Sequence, residues 1–375
     1  MRIAIYAPYL QVSGGGEKYI GSIAEILSGR NTVDFIAFKK PNLEKIGKNL
    51  NLNLTKVGVQ LLAPSKRPHV NAYRVSQATR NYDLFLNQEH FTVIRSLAKT
   101  GILICEVPPT NNNTKPMLSP VTCRSKGQIL NRIVLRAFFD PSLKSYDKVL
   151  CNSCFTQKWA IRWYRKKVEV LYPSANVEEI RPFPKQKIIL NVGRFFVGGN
   201  CKKQLETIKI FKTLYEENRS LLKDWEYHLV GVLSEDLRGQ EYLNSCINEA
   251  TGYPIKFHIN VSFQTLRELY GFSRILVHAT GMAKNELESP DLMEHFGIVP
   301  VEAMSGGCVP IVISKGGLSE IVQNGVNGFL WSSEQELKQK LLTVITDNEL
   351  WLRLSKNAVE RSQQFSVQKF YDRLK

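Results

Sequence analysis

The stretch Glu294-His295-Phe296-Gly297-Ile298-Val299-Pro300-Val301-Glu302-Ala303-Met304, running on into Ser305-Gly306-Gly307-Cys308-Val309-Pro310, decides how this chain is read. Seven residues separate its two glutamates. An ionised carboxylate accepts several hydrogen bonds, so two of them facing one cavity suit a ligand rich in hydroxyls. Pro300 is tolerable in a helix only near its start, where the missing N–H costs little. Glu294 is therefore expected in the loop before a helix, and Glu302 in that helix's first turns. The plain alternative is an amphipathic helix with two solvated glutamates, and the neighbouring motifs argue against it.

Outward from this stretch, short apolar runs alternate with longer amphipathic ones, the pattern of parallel sheets covered by helices. In the first half, strands are expected at 2–9, 33–38, 83–87, 101–107, 147–152 and 168–172, with helices at 17–27 and 155–164. Residues 173–185, rich in Pro and turn formers, read as a linker. A second alternation follows, with strands at 187–192, 227–232, 255–259, 275–279 and 309–314. Helices are expected at 203–217, around Glu302, and from about 334 onward. The expected fold is α/β, with two Rossmann-like domains facing across a cleft and the ligand at the carboxyl ends of the strands. The domains read as 1–180, joined by a C-terminal helix at 362–375, and 187–361.

A chain of 375 residues, 43% hydrophobic, supports two folded cores and is far from a disordered composition. No apolar run reaches the length of a membrane-spanning helix. The start, Met1-Arg2-Ile3-Ala4-Ile5-Tyr6-Ala7-Pro8, reads as a buried strand rather than a signal peptide. The seven cysteines are scattered, and Cys151-Asn152-Ser153-Cys154 is a lone pair without a second pair or a spaced His. Buried thiols in a reducing cytoplasm are the expectation. Residues 1–186 hold 28 Lys and Arg against 12 Asp and Glu, while the remainder holds 22 of each. The whole excess of +16 therefore sits in the first half, which suggests an anionic partner there, with a merely soluble basic surface as the alternative.

Gly14-Gly15-Gly16 follows the first strand and precedes a helix, where glycines let backbone N–H groups approach a phosphate. Its spacing is not the dinucleotide fingerprint. Asn191-Val192-Gly193-Arg194 ends the first strand of the second half, and Cys201-Lys202-Lys203-Gln204 opens a helix. An Arg fork and a Lys point charge there can neutralise a diphosphate. Lys202 and Lys203 both stand at this helix start. No Asp-x-Asp appears that would hold a metal. His278 ends a strand shortly before Glu294, and His90 follows the strand at 83–87; each reads equally well as a ligand contact or as a structural histidine.

Together with Gly316-Gly317-Leu318-Ser319-Glu320 and Asn324-Gly325-Val326-Asn327-Gly328, these motifs resemble the retaining family-4 glycosyltransferases of GT-B fold, with their E-x7-E signature. The resemblance covers nearly the whole chain and is strongest over 187–330. It implies a hexosyl transfer from a nucleoside diphosphate sugar, a substrate rather than a cofactor, with no metal. Arg194 and Lys203 would clamp the diphosphate, and Glu294 would sit at the transferred sugar. Glu302 would bind the ribose, and Phe296, Gly297, Ile298 and His278 would line the donor site beside Gly15 and Gly16. His90 and Glu106 would face the acceptor. Many relatives place His-x-Pro where this chain reads Glu106-Val107-Pro108. Glu294-His295-Phe296-Gly297 also occurs in lipid-linked mannosyltransferases, which favours GDP-mannose slightly over UDP-sugars. The acceptor expected is a saccharide or a lipid-linked hydroxyl, and no nucleic acid. The expected location is the cytoplasm, with the cytoplasmic membrane face open as a place of action. Two rivals stand beside this: a GT-B epimerase, and a non-catalytic basic protein binding membrane or nucleic acid.

Overall fold

The computed structural model describes residues 1–12, 14–89, 94–109, 141–164, 166–199, 201–233 and 237–374. They form two compact units, Met1–Tyr172 with the last residues from Arg373, and Pro173–Asp372.

In the first unit, β1 (Arg2–Tyr6), β2 (Thr32–Ala37), β3 (Val57–Leu61), β4 (Leu84–Asn87), β5 (Thr100–Cys105), β6 (Lys148–Cys151) and β7 (Val168–Val170) make one sheet in the order β3-β2-β1-β4-β5-β6-β7. Every pairing is parallel. Its helices are α1 (Gly15–Ser28), α2 (Leu43–Leu50), α3 (Pro68–Ala78) and α4 (Cys154–Tyr164). Phe85, Leu103, Val149 and Tyr146 centre its core.

The second unit carries β8 (Gln186–Val192), β9 (Glu226–Gly231), β10 (Ile255–Ile259), β11 (Ser273–His278), β12 (Val309–Ile313) and β13 (Phe329–Trp331), in the order β10-β9-β8-β11-β12-β13. Its helices are α5 (Gln204–Glu217), α6 (Arg219–Leu222), α7 (Leu237–Ala250), α8 (Phe263–Phe272), α9 (Ile298–Ser305), α10 (Leu318–Ile321), α11 (Glu334–Thr346), α12 (Asn348–Ser362) and α13 (Val367–Leu374). All five residues of β12 are buried, as befits a parallel strand covered on both faces. Ser262, Ser333 and Asp347 cap α8, α11 and α12, each accepting an amide three residues on.

Both units are thus Rossmann-like, and strand order reverses between β1 and β4 in one and between β8 and β11 in the other. At such switch points the loops diverge to opposite faces and leave a crevice at the carboxyl ends of the strands.

Three differences from the sequence reading have physical causes. β1 stops at Tyr6, just short of Ala7-Pro8, since Pro8 has no N–H for a ladder. β3, with α2 and α3, forms where the sequence showed no strand. Gly58 admits the pairing, because a side chain there would meet the Asp34 carboxylate. The segment read as a linker packs on the second unit. Ile180 joins that core, Phe183 stacks 4.9 Å from Phe272 and donates its amide to Gly271, and the Lys185 ammonium reaches the Ser273 carbonyl at 2.8 Å. At the far end α13 lies with the second unit as far as Asp372, and Arg373 stands 5.7 Å over the Tyr172 ring.

Candidate active site

At the switch point of the second unit, β8 ends at Val192 and releases Gly193 and Arg194, while β11 ends at His278. The aliphatic stem of Lys202 lies across Gly193, where a Cβ would collide with it. Its ammonium then meets Glu294 Oε2 at 2.5 Å, and both side chains are 15% exposed. His278 Nε2 meets the same oxygen at 2.8 Å and Thr280 Oγ1 at 3.1 Å. Burial works to raise the Glu294 pKa, but the Lys202 charge and the His278 hydrogen bond reverse this and hold the carboxyl well below the usual range. Burial lowers the His278 pKa, so the ring is neutral at pH 7. An ionised carboxylate only accepts, which puts the His278 proton on Nε2 and leaves the buried Nδ1 without a partner among the described residues. Both protein contacts use Oε2, so the second Glu294 oxygen has no protein partner among the described residues.

Lys203 goes elsewhere. It caps α5 in the left-handed conformation, φ +61°, and pairs with Glu206 at 2.7 Å. Of the two lysines the sequence offered, the structure brings Lys202, not Lys203, to Glu294. The Arg194 guanidinium is exposed, lies 5.6 Å over the Phe196 ring, and has no ion pair among the described residues.

The loop carrying Glu294 is held from below. The Gly317 amide donates to the Glu294 carbonyl at 2.8 Å. A Cβ on Gly316 would strike that carbonyl, and one on Gly317 the His295 carbonyl. Phe296 is buried and edge-on to Phe365 at 5.4 Å. Gly297 caps α9 at φ +112°, so the amides of Gly297 and Ile298 stand at a helix N-terminus. Glu302, on the second turn, is 7% exposed and accepts from the Tyr270 hydroxyl at 3.3 Å. Tyr270 and Thr280 had no sequence signal beyond lying near strand and helix ends.

At the switch point of the first unit, Gly15 and Gly16 open α1, and the Gly14 amide is already taken by Glu17 at 2.8 Å. Gln88 Nε2 bridges the Gly16 carbonyl at 3.0 Å and Glu106 Oε1 at 2.8 Å. A Cβ on Gly16 would run into the other Glu106 oxygen. Burial pushes the Glu106 carboxyl up to about 8; Gln88 opposes the shift and the nearby Glu17 adds to it. Glu106 is therefore largely protonated at neutral pH, and next to a helix N-terminus it can donate. His90 lies outside the described residues. Cys151 is buried at the end of β6, whereas Cys154 is exposed and meets the Tyr172 hydroxyl at 3.1 Å. Among the described residues no group of three His, Cys, Asp or Glu is placed to hold a metal.

Residues 175–361 match the model of the family described as glycosyl transferases group 1. An uncharacterized glycosyltransferase of Methanocaldococcus jannaschii is 27% identical over 242 residues, 64% of this chain and 61% of that one. The GDP-Man:Man(3)GlcNAc(2)-PP-Dol alpha-1,2-mannosyltransferase of Dictyostelium discoideum is 25% identical over 190 residues, 50% of this chain. The match spans only 35% of that relative's length. Among solved structures, Anabaena HepE in complex with UDP-glucose superposes with a TM-score of 0.70 at 18% identity, covering 100% of this chain and 98% of that one. At that identity the likeness speaks for the fold.

Proposed function

We propose that this chain, which belongs to the glycosyl transferases of group 1 and has the GT-B fold, moves a hexosyl unit from a nucleoside diphosphate sugar to an acceptor hydroxyl with retention at the anomeric carbon. The observation that carries the reading is the Lys202–Glu294–His278 cluster at the switch point of the second unit. A cation for the diphosphate and an open carboxylate oxygen for a sugar hydroxyl stand side by side there.

In this reading Lys202 and the unpaired Arg194 neutralise the leaving diphosphate, the charge that grows in the transition state. Glu294 accepts a sugar hydroxyl through its open oxygen, and Glu302 accepts the ribose hydroxyls. The amides at the start of α9 hold hexose hydroxyls or phosphate oxygens. The bond from C1 to the diphosphate oxygen breaks as the bond to the acceptor oxygen forms on the same face. The acceptor proton passes to a phosphate oxygen, so no protein nucleophile is required. Protonated Glu106, beside Gly16, donates to an acceptor oxygen. GDP-mannose is the favoured donor, supported by the mannosyltransferase relative; the UDP-glucose in HepE supports UDP-sugars as its competitors. The acceptor is a saccharide or a lipid-linked hydroxyl.

The test is thermal unfolding with UDP-, GDP- and ADP-sugars, alongside Glu302→Ala, Lys202→Ala and Lys203→Ala. A donor at about 100 times its Kd adds roughly 2.7 kcal/mol, a shift of several degrees. One nucleotide class should produce it. Glu302→Ala and Lys202→Ala should abolish most of it, and Lys203→Ala should keep it. Absence of a shift with every nucleotide sugar would overturn the donor assignment.

A further inference from the structure

The carboxyl edge of β1, β2 and β3 is unlike the rest of the first unit. Nine Lys and Arg and a single acid, Glu44, lie between residues 35 and 82. Four of the cations cluster where the chain leaves this edge. Lys39 and Lys40 follow β2, and Lys66 and Arg67 lead into α3; all four are exposed. The two loops start side by side, because Ala37 pairs with Leu61 and the Leu62 amide donates to the Ala37 carbonyl at 2.9 Å. The second loop is pinned on α3 by Asn71, whose side chain bonds the Ser65 amide at 2.8 Å and its carbonyl at 2.9 Å. In a parallel sheet the N-termini of the covering helices converge on this same edge and add positive potential. Tyr9 and Leu61 stand there 62% and 52% exposed, a poor place for large apolar groups in water.

Cations around exposed aromatic and aliphatic side chains match an anionic bilayer, where Tyr sits at the headgroup level and Lys and Arg meet phosphates. No helix among the described residues is long and apolar enough to cross a membrane, so contact would be at the surface. We propose that this edge of the first unit docks on the anionic phospholipid surface of a membrane. The inference extends the lipid-linked form of the acceptor proposed above, but it stands on charge and exposure alone.

The experiment is sedimentation of the full chain with vesicles of phosphatidylcholine, with and without about one third phosphatidylglycerol. One variant combines Lys39→Ser, Lys40→Ser, Lys66→Ser and Arg67→Ser. A second removes the same net charge from the exposed surface of the other unit by Lys209→Ser, Lys223→Ser, Arg353→Ser and Lys356→Ser, and unfolding curves check that both are folded. The expected result is salt-sensitive binding to the anionic vesicles only, weakened about tenfold or more in the first variant and little in the second. Three results would overturn it: no binding to anionic vesicles, equal loss in both variants, or binding to single-stranded DNA with none to vesicles. No nucleotide sugar is present, so failure here leaves the donor assignment standing, and failure of that assignment leaves this result standing.

Discussion

Lys202 and Lys203 are neighbours with the same chemistry, and the backbone alone separates their roles. Lys203 takes the left-handed conformation that caps α5 and turns to Glu206, while Lys202 is laid over Gly193 and aimed at Glu294. A sequence shows that a lysine opens this helix, but the cap residue is set by how the incoming loop meets the sheet. Glu106 makes the same point with its charge. Its position in place of a histidine was legible, whereas its burial against Gln88 and Gly16 was not. The folded pKa of about 8 lies above the unfolded carboxylate value, so the folded state holds the proton more tightly. Stability is full below the unfolded pKa, near 4.5, and falls as pH rises toward 8. The loss is on the order of a few kcal/mol. Denaturant unfolding of the wild type from pH 5 to 9 should show this decline, and Glu106→Gln should flatten it. An identical slope in the variant would assign the decline to other groups.

Among the elements, the parallel strands were the most legible, because a strand buried on both faces is a short continuous apolar run. β10 was expected with the bounds it has, and β8 and β12 within a residue. β3 and its flanking helices were not legible, since Val57-Gly58-Val59-Gln60-Leu61 is short, glycine-interrupted and half-buried at the sheet edge. The Gly316-Gly317 turn was legible only as part of the resemblance, and its contacts show what it holds. Gly316, at φ +62°, lies against the Glu294 carbonyl, so a side chain there meets backbone that cannot step aside. Gly316→Ala should cost about 1–3 kcal/mol through strain and displacement of the Glu294 loop. Denaturant unfolding should register that loss, and the donor-induced thermal shift should shrink with it. A variant as stable as wild type, with an unchanged shift, would show that the loop tolerates the displacement.

For the whole molecule, the charge asymmetry and the two α/β alternations were visible without coordinates, because both depend on composition and periodicity. The proposed chemistry relies on Lys202 and Arg194 to carry the charge of the leaving group. Turnover should then survive EDTA within roughly twofold, and the product should keep the donor's anomeric configuration by NMR. Loss of activity on chelation, restored by a divalent cation, would replace the lysine with a metal in that role; an inverted product would end the same-face mechanism. Apolar periodicity and glycines at strand ends were enough to decide the class of fold, and Pro300 was enough to place Glu294 before a helix and Glu302 within it, because each is a local property of the chain. Which lysine meets Glu294, that His278 shares the same oxygen, that burial raises the Glu106 pKa, and that the segment after Tyr172 packs on the second unit were decided only by tertiary structure. These depend on burial and on contacts between residues far apart in the chain, 92 positions for Lys202 and Glu294, which no local pattern encodes.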